Sequence, residues 1–402
     1  MELRAPVILI LLSSIVILSY LFNLLSKKTR LPSVLMLIAT GIGIKYLAAH
    51  YGFAGADVTK LVKILGATGL IMIVLEAALD LKLGRDKLRL IGDSFFSALF
   101  IFLFSAFGIG ILIMQWLHVS FELAFLYAIP MSIISSAIII PSTSHFEEKR
   151  KEFIIYESSF SDIVGILAFN YMLAPNVVSL VTAGRFFVNV GLVILLSLAA
   201  TFLLLYIILN IKVGLKFFLI FSVLSFLYGL GELIHLPSLM IVLVFGLVIN
   251  NYNLLLNTKF IRRFDTTGID GVLETMRSIT AETSFLIRTF FFILFGYTID
   301  LSVLMQPDVW ELGSIIIIIL LLVRYFYLRV ILKTPAFPML LLMPRGLVTI
   351  LLFYSIPVSK SIGGFNNGIL FFVVAVSSIL MMFGLLFSKD NGQYLEKSEE
   401  AI

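Results

Sequence analysis

The sequence has no cysteine at all, four histidines and two tryptophans among its 402 residues, and only 13% of it is charged. Without cysteine there is neither a disulfide framework nor a thiolate metal site. His145 and His235 stand at the edges of expected loops and show no ligand spacing. Walker, dinucleotide-binding and HExxH patterns are missing too, so nothing points to covalent or nucleotide chemistry, and the reading is of a non-enzyme that needs no cofactor. Soluble domains carry about 25% charged residues. A chain that is 60% hydrophobic, with a mean hydropathy of +1.10, reads instead as an integral membrane protein whose partner is the lipid bilayer. Its net charge of +5 is scattered over short loops and gives no nucleic-acid surface.

What the chain does have is a series of apolar runs. Thirteen can be marked, each near the ~20 residues that cross a bilayer. They fall at about 6–25, 32–49, 61–79, 90–117, 121–144, 153–174, 185–210, 213–229, 236–250, 279–298, 310–332, 336–357 and 366–388. The first is too long for a signal peptide and lacks a small-residue cleavage pattern, so it reads as a retained helix. The odd-numbered loops and the tail, with the residues bordering them, hold 20 of the 29 Lys and Arg, and the opposite side holds 6. The positive-inside bias then predicts an N-terminus outside and a short cytoplasmic tail, 389–402, on a multi-pass cell-membrane protein.

Two sequence pairs suggest an internal repeat. LPSVLMLIATGIGI (31–44) matches LPSLMIVLVFGLVI (236–249), each with Gly nine residues beyond Pro, and IVLEAALDL (73–81) matches ILFGYTIDL (293–301). The copies are seven spans apart, an odd number, so they cross the membrane in opposite directions. Inverted repeats of this kind belong to secondary transporters that bind substrate near the midplane. The expected fold is an all-α, thirteen-helix membrane domain filling the chain. Its repeats cover about 6–174 and 213–388, and the helix 185–210 joins them. Breaks are expected in spans 5 and 12. The first contains Ser135, Ser136 and Pro141, the second Pro344, Arg345 and Gly346. A helix-interior proline frees backbone groups, and these are tolerated at membrane depth only inside protein or along a cavity.

Span 6 carries ESSFSDIVGI (157–166) in place of an apolar stretch. Asp162 lies about 14 Å past the start of that span, near the middle of a ~30 Å core. A charge there costs about 2.5–3.5 kcal/mol on the gentlest scale and so marks function. Ser158 shares its helical face with Asp162, while Glu157 and Ser161 share another. The Ser/Asp face suits a hard cation; the Glu face suits a fixed ion pair, for which Arg288 in span 10 is the expected partner. Glu76 sits nearer the cytoplasmic edge of span 3, where it can snorkel or take part in transport. Arg324 and Arg345 suit carbonyls or helix ends.

These residues resemble the sodium/proton exchanger group of the monovalent cation–proton antiporters. Its E-S-x-x-N-D motif is similar to Glu157–Asp162, its R-T-F-F-F-x-x-x-G-x-x-I-D stretch to Arg288–Asp300, and its R-G-x-V to Arg345–Val348. The LP start of span 2 and the acid Glu76 fit as well. The resemblance implies a homodimer, an elevator-type motion, Asp162 as the shared proton and cation site assisted by Ser158, and a Glu157–Arg288 pair. It departs at two points. Ser161 stands where the family has Asn, and the family's Thr-Asp-Pro of helix 5 is read as Ile139-Ile140-Pro141, without an acid.

The expected chemistry is competition: one carboxylate holds a proton or a monovalent cation, not both. The transported ion is then Na⁺ first, with K⁺ and Li⁺ as alternatives, exchanged for H⁺ with no net charge moved. Ion-binding candidates are Asp162, Ser158, Ser161 and Glu76. A sodium-coupled symporter of an organic solute and a transport-inactive sensor or partner subunit are the competing readings.

Overall fold

In hydrocarbon there is no water to bond the backbone, so an apolar run closes its hydrogen bonds on itself as helix. The computed structural model describes residues 5–29, 31–51, 59–84, 87–143, 146–174, 180–210, 216–233, 238–252 and 269–387. Among these every regular element is helical and none is a strand. The long helices are α1 (Ala5–Thr29), α2 (Ser33–His50), α3 (Thr59–Asp80), α4 (Leu88–Leu117), α5 (Phe121–Ser132), the short α6 (Ser136–Ser142), α7 (Glu148–Leu173) and α8 (Leu180–Asn210). After them come α9 (Lys216–Leu233), α10 (Leu239–Asn250), α11 (Ile269–Thr298), α12 (Leu301–Leu304), α13 (Pro307–Phe326), α14 (Leu347–Tyr354) and α15 (Asn367–Leu386). Eight segments in the described residues are long and apolar enough to cross a membrane. The tail 389–402, His145, His235 and the second Leu-Pro pair at 236–237 lie outside the described residues.

Caps set several boundaries. Ser120 accepts the Leu123 amide at the start of α5, and Asn366 accepts the Gly368 amide at the start of α15. Asp300 does the same for Ser302, and Pro307 opens α13, where its missing N–H costs nothing.

The chain divides into two compact units, each drawing on both halves of the sequence. One comprises Met1–Gly66, Leu90–Phe169 and Arg288–Ile402; the other comprises Ala67–Arg89 and Asn170–Ile287. Lipid is as apolar as leucine, so small residues that permit close approach drive helix packing. In the first unit α4 buries a stripe of Ser94, Ser97, Ala98, Ile101, Phe102 and Ser105 at helical spacing, continued by Ala106, Ile109 and Gly110. Phe96, Leu103, Phe104 and Phe107 are exposed on its other faces.

Gly41, Gly246 and Gly296 of the repeated sequences sit at crossings. A Cβ on Gly41 of α2 would lie 2.0 Å from the Ile293 carbonyl oxygen of α11, and one on Gly296 would lie 2.2 Å from that of Ile38. In the second unit a Cβ on Gly246 of α10 would lie 2.6 Å from the Ala78 Cβ of α3. Each repeated helix therefore abuts a helix of the other repeat. Gly41→Ala is expected to destabilise the protein by about 1–3 kcal/mol through overpacking, read as a lower melting temperature. Gly43, two residues on, has open space around it, so Gly43→Ala should melt no lower than the parent. Equal melting of the two variants would show that the crossing is not close.

In the second unit the C-terminus of α3 is closed from a distance. The Leu81 carbonyl accepts from Asn250 and Asn251, both at 2.9 Å, and that of Leu79 from Arg277 at 3.1 Å. The Arg277 guanidinium also donates to the side-chain oxygen Oδ1 of Asn250. These side chains satisfy acceptors that a helix end leaves open.

Candidate ion-binding site

The span containing α5 and α6 is interrupted at Ile133–Ser135, whose flanking dihedrals are extended. Three consecutive amides there would bond back to residues 130–132 in a continuous helix. Each finds a different partner instead. Ile134 N–H donates to Ser161 Oγ at 2.9 Å, Ser135 N–H to the Pro344 carbonyl at 2.9 Å, and Ser136 N–H to Asp162 Oδ2 at 3.4 Å. The carbonyl of Met131, deprived of Ser135 N–H, accepts from Arg345 Nε at 2.7 Å. Residues 344 and 345 thus supply both halves of the bond that the helix gives up.

The other interruption lies between Met339–Leu341, a 3₁₀ turn, and α14. Arg345 Nη1 donates to Met343 O at 2.7 Å, and Arg345 N–H to Ser377 Oγ of α15 at 2.9 Å. Gly346 makes the crossing possible, because a Cβ there would fall 2.4 Å from Ser135 Oγ. Ser135, Ser136, Pro344, Arg345 and Gly346 therefore all belong to the interruptions.

Pro141 does not. It lies inside α6, six residues after Ser135. Its missing N–H frees only the Ala137 carbonyl, and Arg288 Nη1 approaches that oxygen at 3.5 Å. The break falls where tertiary groups capture three amides, not where proline removes one.

Arg288 is likewise not the partner of Glu157. The carboxylate of Glu157, fully buried in α7, pairs with Arg324 Nη2 of α13 at 2.8 Å. Its second oxygen accepts from Ser97 of α4. Arg324 is also fully buried and donates Nε to Met339 O at 2.7 Å. The sequence places both arginines inside spans; the packing of α7, α4 and α13 decides between them.

Asp162 sits in α7 with 5% of its surface exposed. Oδ2 accepts from the Ser136 hydroxyl and amide, and Oδ1 is buried without a partner among the described residues. Ser135 Oγ is likewise buried and has no hydrogen-bond partner among the described residues. Ser158, expected beside Asp162, instead donates back to Ile154 O at 2.9 Å and lies 3.2 Å from Ile155 O. Ser161 is spent on the break, as described. Glu76 is half-buried on α3, in the part of that helix belonging to the second unit. Sequence reasoning thus missed Arg324 as a partner and Ser136 as a contact of Asp162. The pair Ser135–Ser136 was visible in the sequence, but its reach to Asp162 was not.

No curated protein matches the chain in sequence. Among solved structures, the sodium proton antiporter MjNhaP1 from Methanocaldococcus jannaschii at pH 8 superposes with a TM-score of 0.72 at 18% identity, covering 96% of this chain and 99% of that one. An electron-microscopy structure of the same antiporter gives 0.68 at 17% identity, covering 96% and 95%. At such identities the likeness is one of fold. The family model described as sodium/hydrogen exchanger, transmembrane, matches residues 11–388. That match takes in both interruptions, the buried ion pair and Asp162, and the chain belongs to the sodium/hydrogen exchanger family.

Proposed function

We propose that the chain exchanges a monovalent cation, Na⁺ first, for H⁺ at Asp162, by exposing that one carboxylate to each side of the membrane in turn. The observation that carries this reading is the carboxylate itself, mid-helix, almost wholly buried, with one oxygen lacking a partner among the described residues. A group so placed is costly in a membrane unless it is used. Proton and cation compete for it, and that competition couples their opposite movements without a cofactor.

Family membership supports cation/proton antiport as the class of activity. The assignment to Asp162, the homodimer, the cell-membrane location and a cytoplasmic C-terminus are part of the proposal. The test is reconstitution into liposomes carrying a pH-sensitive dye, with Na⁺, K⁺ and Li⁺ added in turn. A cation-dependent proton flux is expected, strongest for Na⁺; no flux with any of the three would sink the reading.

The cycle should also be electroneutral. Asp162 carries one positive charge in either direction, as a proton or as a cation. A membrane potential acts with about 2.3 kcal/mol per net charge per 100 mV, so it should leave a cycle of zero net charge unchanged. Exchange measured at clamped potentials of opposite sign, with equal ion gradients, should proceed at the same rate. A reversal point that moved with potential would mean that a second carboxylate titrates, and Glu76→Gln would then be expected to remove the shift.

A further inference from the structure

We propose that the Tyr127 hydroxyl pins the connection between α14 and α15 over the ends of α5 and α14, and that the segment so held seals the crossing against protons on that face. The proposal rests on the reading of Asp162 as the exchanging group.

The crossing has a weak line along its middle. At Ile133–Ser135 three amides leave their helix, and Asp162 lies against the last of them. Polar backbone at membrane depth is tolerated only inside protein or along a cavity. Tyr127 stands on α5 six residues before Ile133, about 9 Å along the axis. Phe353 stands on α14 seven residues past Gly346, about 10 Å along its axis. Their rings meet at 5.5 Å, so the two stretches lead from the breaks to one face, which the charge bias assigns to the outside. A proton slipping between them would reach Asp162 with no cation moving the other way. Tight exchange needs that line closed.

Three rings and one isoleucine close it. The Tyr127 ring packs on Phe365 at 4.9 Å, and Phe365 on Phe353 at 5.5 Å. Tyr127, Phe353 and Ile362 are buried. The Ile362 N–H donates to the Tyr127 hydroxyl oxygen at 2.9 Å. An apolar constriction of this kind expels the water along which protons pass.

The covering segment is otherwise loosely built. Pro357, Val358, Ser359, Ser361, Gly363 and Gly364 are exposed, and Gly364 takes φ +89°. Three of its backbone bonds are local: Lys360 N–H to Pro357 O, Ser361 N–H to Val358 O and Phe365 N–H to Ile362 O. Exposed stretches held by few buried contacts open easily, and Tyr127 gives this one a fixed point. The hydroxyl also satisfies an amide that is costly to bury alone. A phenylalanine would supply the same ring contacts, so the amide is the reason for a tyrosine at 127.

The chain has no cysteine, so Ile362→Cys places one thiol in the seal and keeps the backbone N–H. Its reaction with a charged, water-soluble maleimide should be slow with Tyr127 in place. Adding Tyr127→Phe removes one hydrogen bond and should speed labelling about fivefold to tenfold. A pH gradient imposed on dye-loaded proteoliposomes, with choline as the only cation, should decay faster for Tyr127→Phe than for the parent. Tyr127→Ala should leak faster still, and the isosteric Tyr127→Phe keeps the test open if the alanine variant does not fold. Half-saturating Na⁺ should stay parental in Tyr127→Phe, because the ion site is untouched. Parental labelling in Tyr127→Phe overturns the pin. Faster labelling with parental gradient decay in both variants overturns the seal, and a loss of folded protein with neither readout moved overturns both. These readouts do not require exchange. The exchange reading fails separately, on the absence of cation-dependent flux in the parent.

Discussion

Asp162→Asn is expected to reduce cation/proton exchange below detection, a loss of at least about a hundredfold, while the protein stays folded. The amide keeps the size of the carboxyl and retains an oxygen for the Ser136 hydroxyl, so the break between α5 and α6 keeps its contact. It binds no proton in the working pH range and brings no charge to a cation. Both halves of the exchange therefore fail together, and the loss should be the same for Na⁺, K⁺ and Li⁺. The measurement is dye response in proteoliposomes, with melting temperature and gel-filtration profile as controls for folding. Parental exchange by a folded Asn variant would remove Asp162 from the mechanism.

The second large effect concerns the ion pair at the other end of the same motif. Glu157 and Arg324 are both fully buried and 2.8 Å apart. Removing one partner of such a pair strands the other, at about 3–5 kcal/mol. Among the described residues, after Arg324→Ala the Glu157 carboxylate retains only Ser97, and after Glu157→Ala the guanidinium retains only the Met339 carbonyl. Both single variants should therefore melt far below the parent. The double variant should recover part of the loss, since neither charge is then stranded. If its destabilisation equals the sum of the two singles, the pair contributes no coupling and the contact is incidental.

Much of this architecture could be read from local composition. Apolar runs of bilayer length become helix because nothing else satisfies their backbone. The ESSFSD stretch stood out because carboxylates are rare at membrane depth. The glycines spaced nine residues from a proline marked two helices that the fold brings against helices of the opposite repeat. Other features depend on what meets across the fold. Pro141 looked like the point of rupture because proline breaks helices on local grounds. The rupture occurs instead at Ile133–Ser135, where Ser161, Pro344 and Asp162 compete for the amides. Arg288 is the partner expected for Glu157 from the sequence and Arg324 is assigned there to carbonyls or helix ends, whereas the packing of α13 against α7 brings Arg324 to the carboxylate. Helical spacing put Ser158 and Asp162 on one face, yet a serine inside a helix can bond its own preceding turn, and Ser158 does so.

The two interruptions also determine when, during its own synthesis, the protein can become stable. Ser135 N–H waits for the carbonyl of Pro344, and the Met131 carbonyl waits for Arg345, 214 residues further along the chain. Glu157 waits 167 residues for Arg324, and the Leu79 carbonyl 198 residues for Arg277. Until those later residues emerge, helices of the first half lie in the bilayer with open backbone groups and an uncompensated carboxylate. Contacts this distant in sequence make folding slow. The first half therefore depends on the second for completion of its backbone hydrogen bonds and of its buried ion pair.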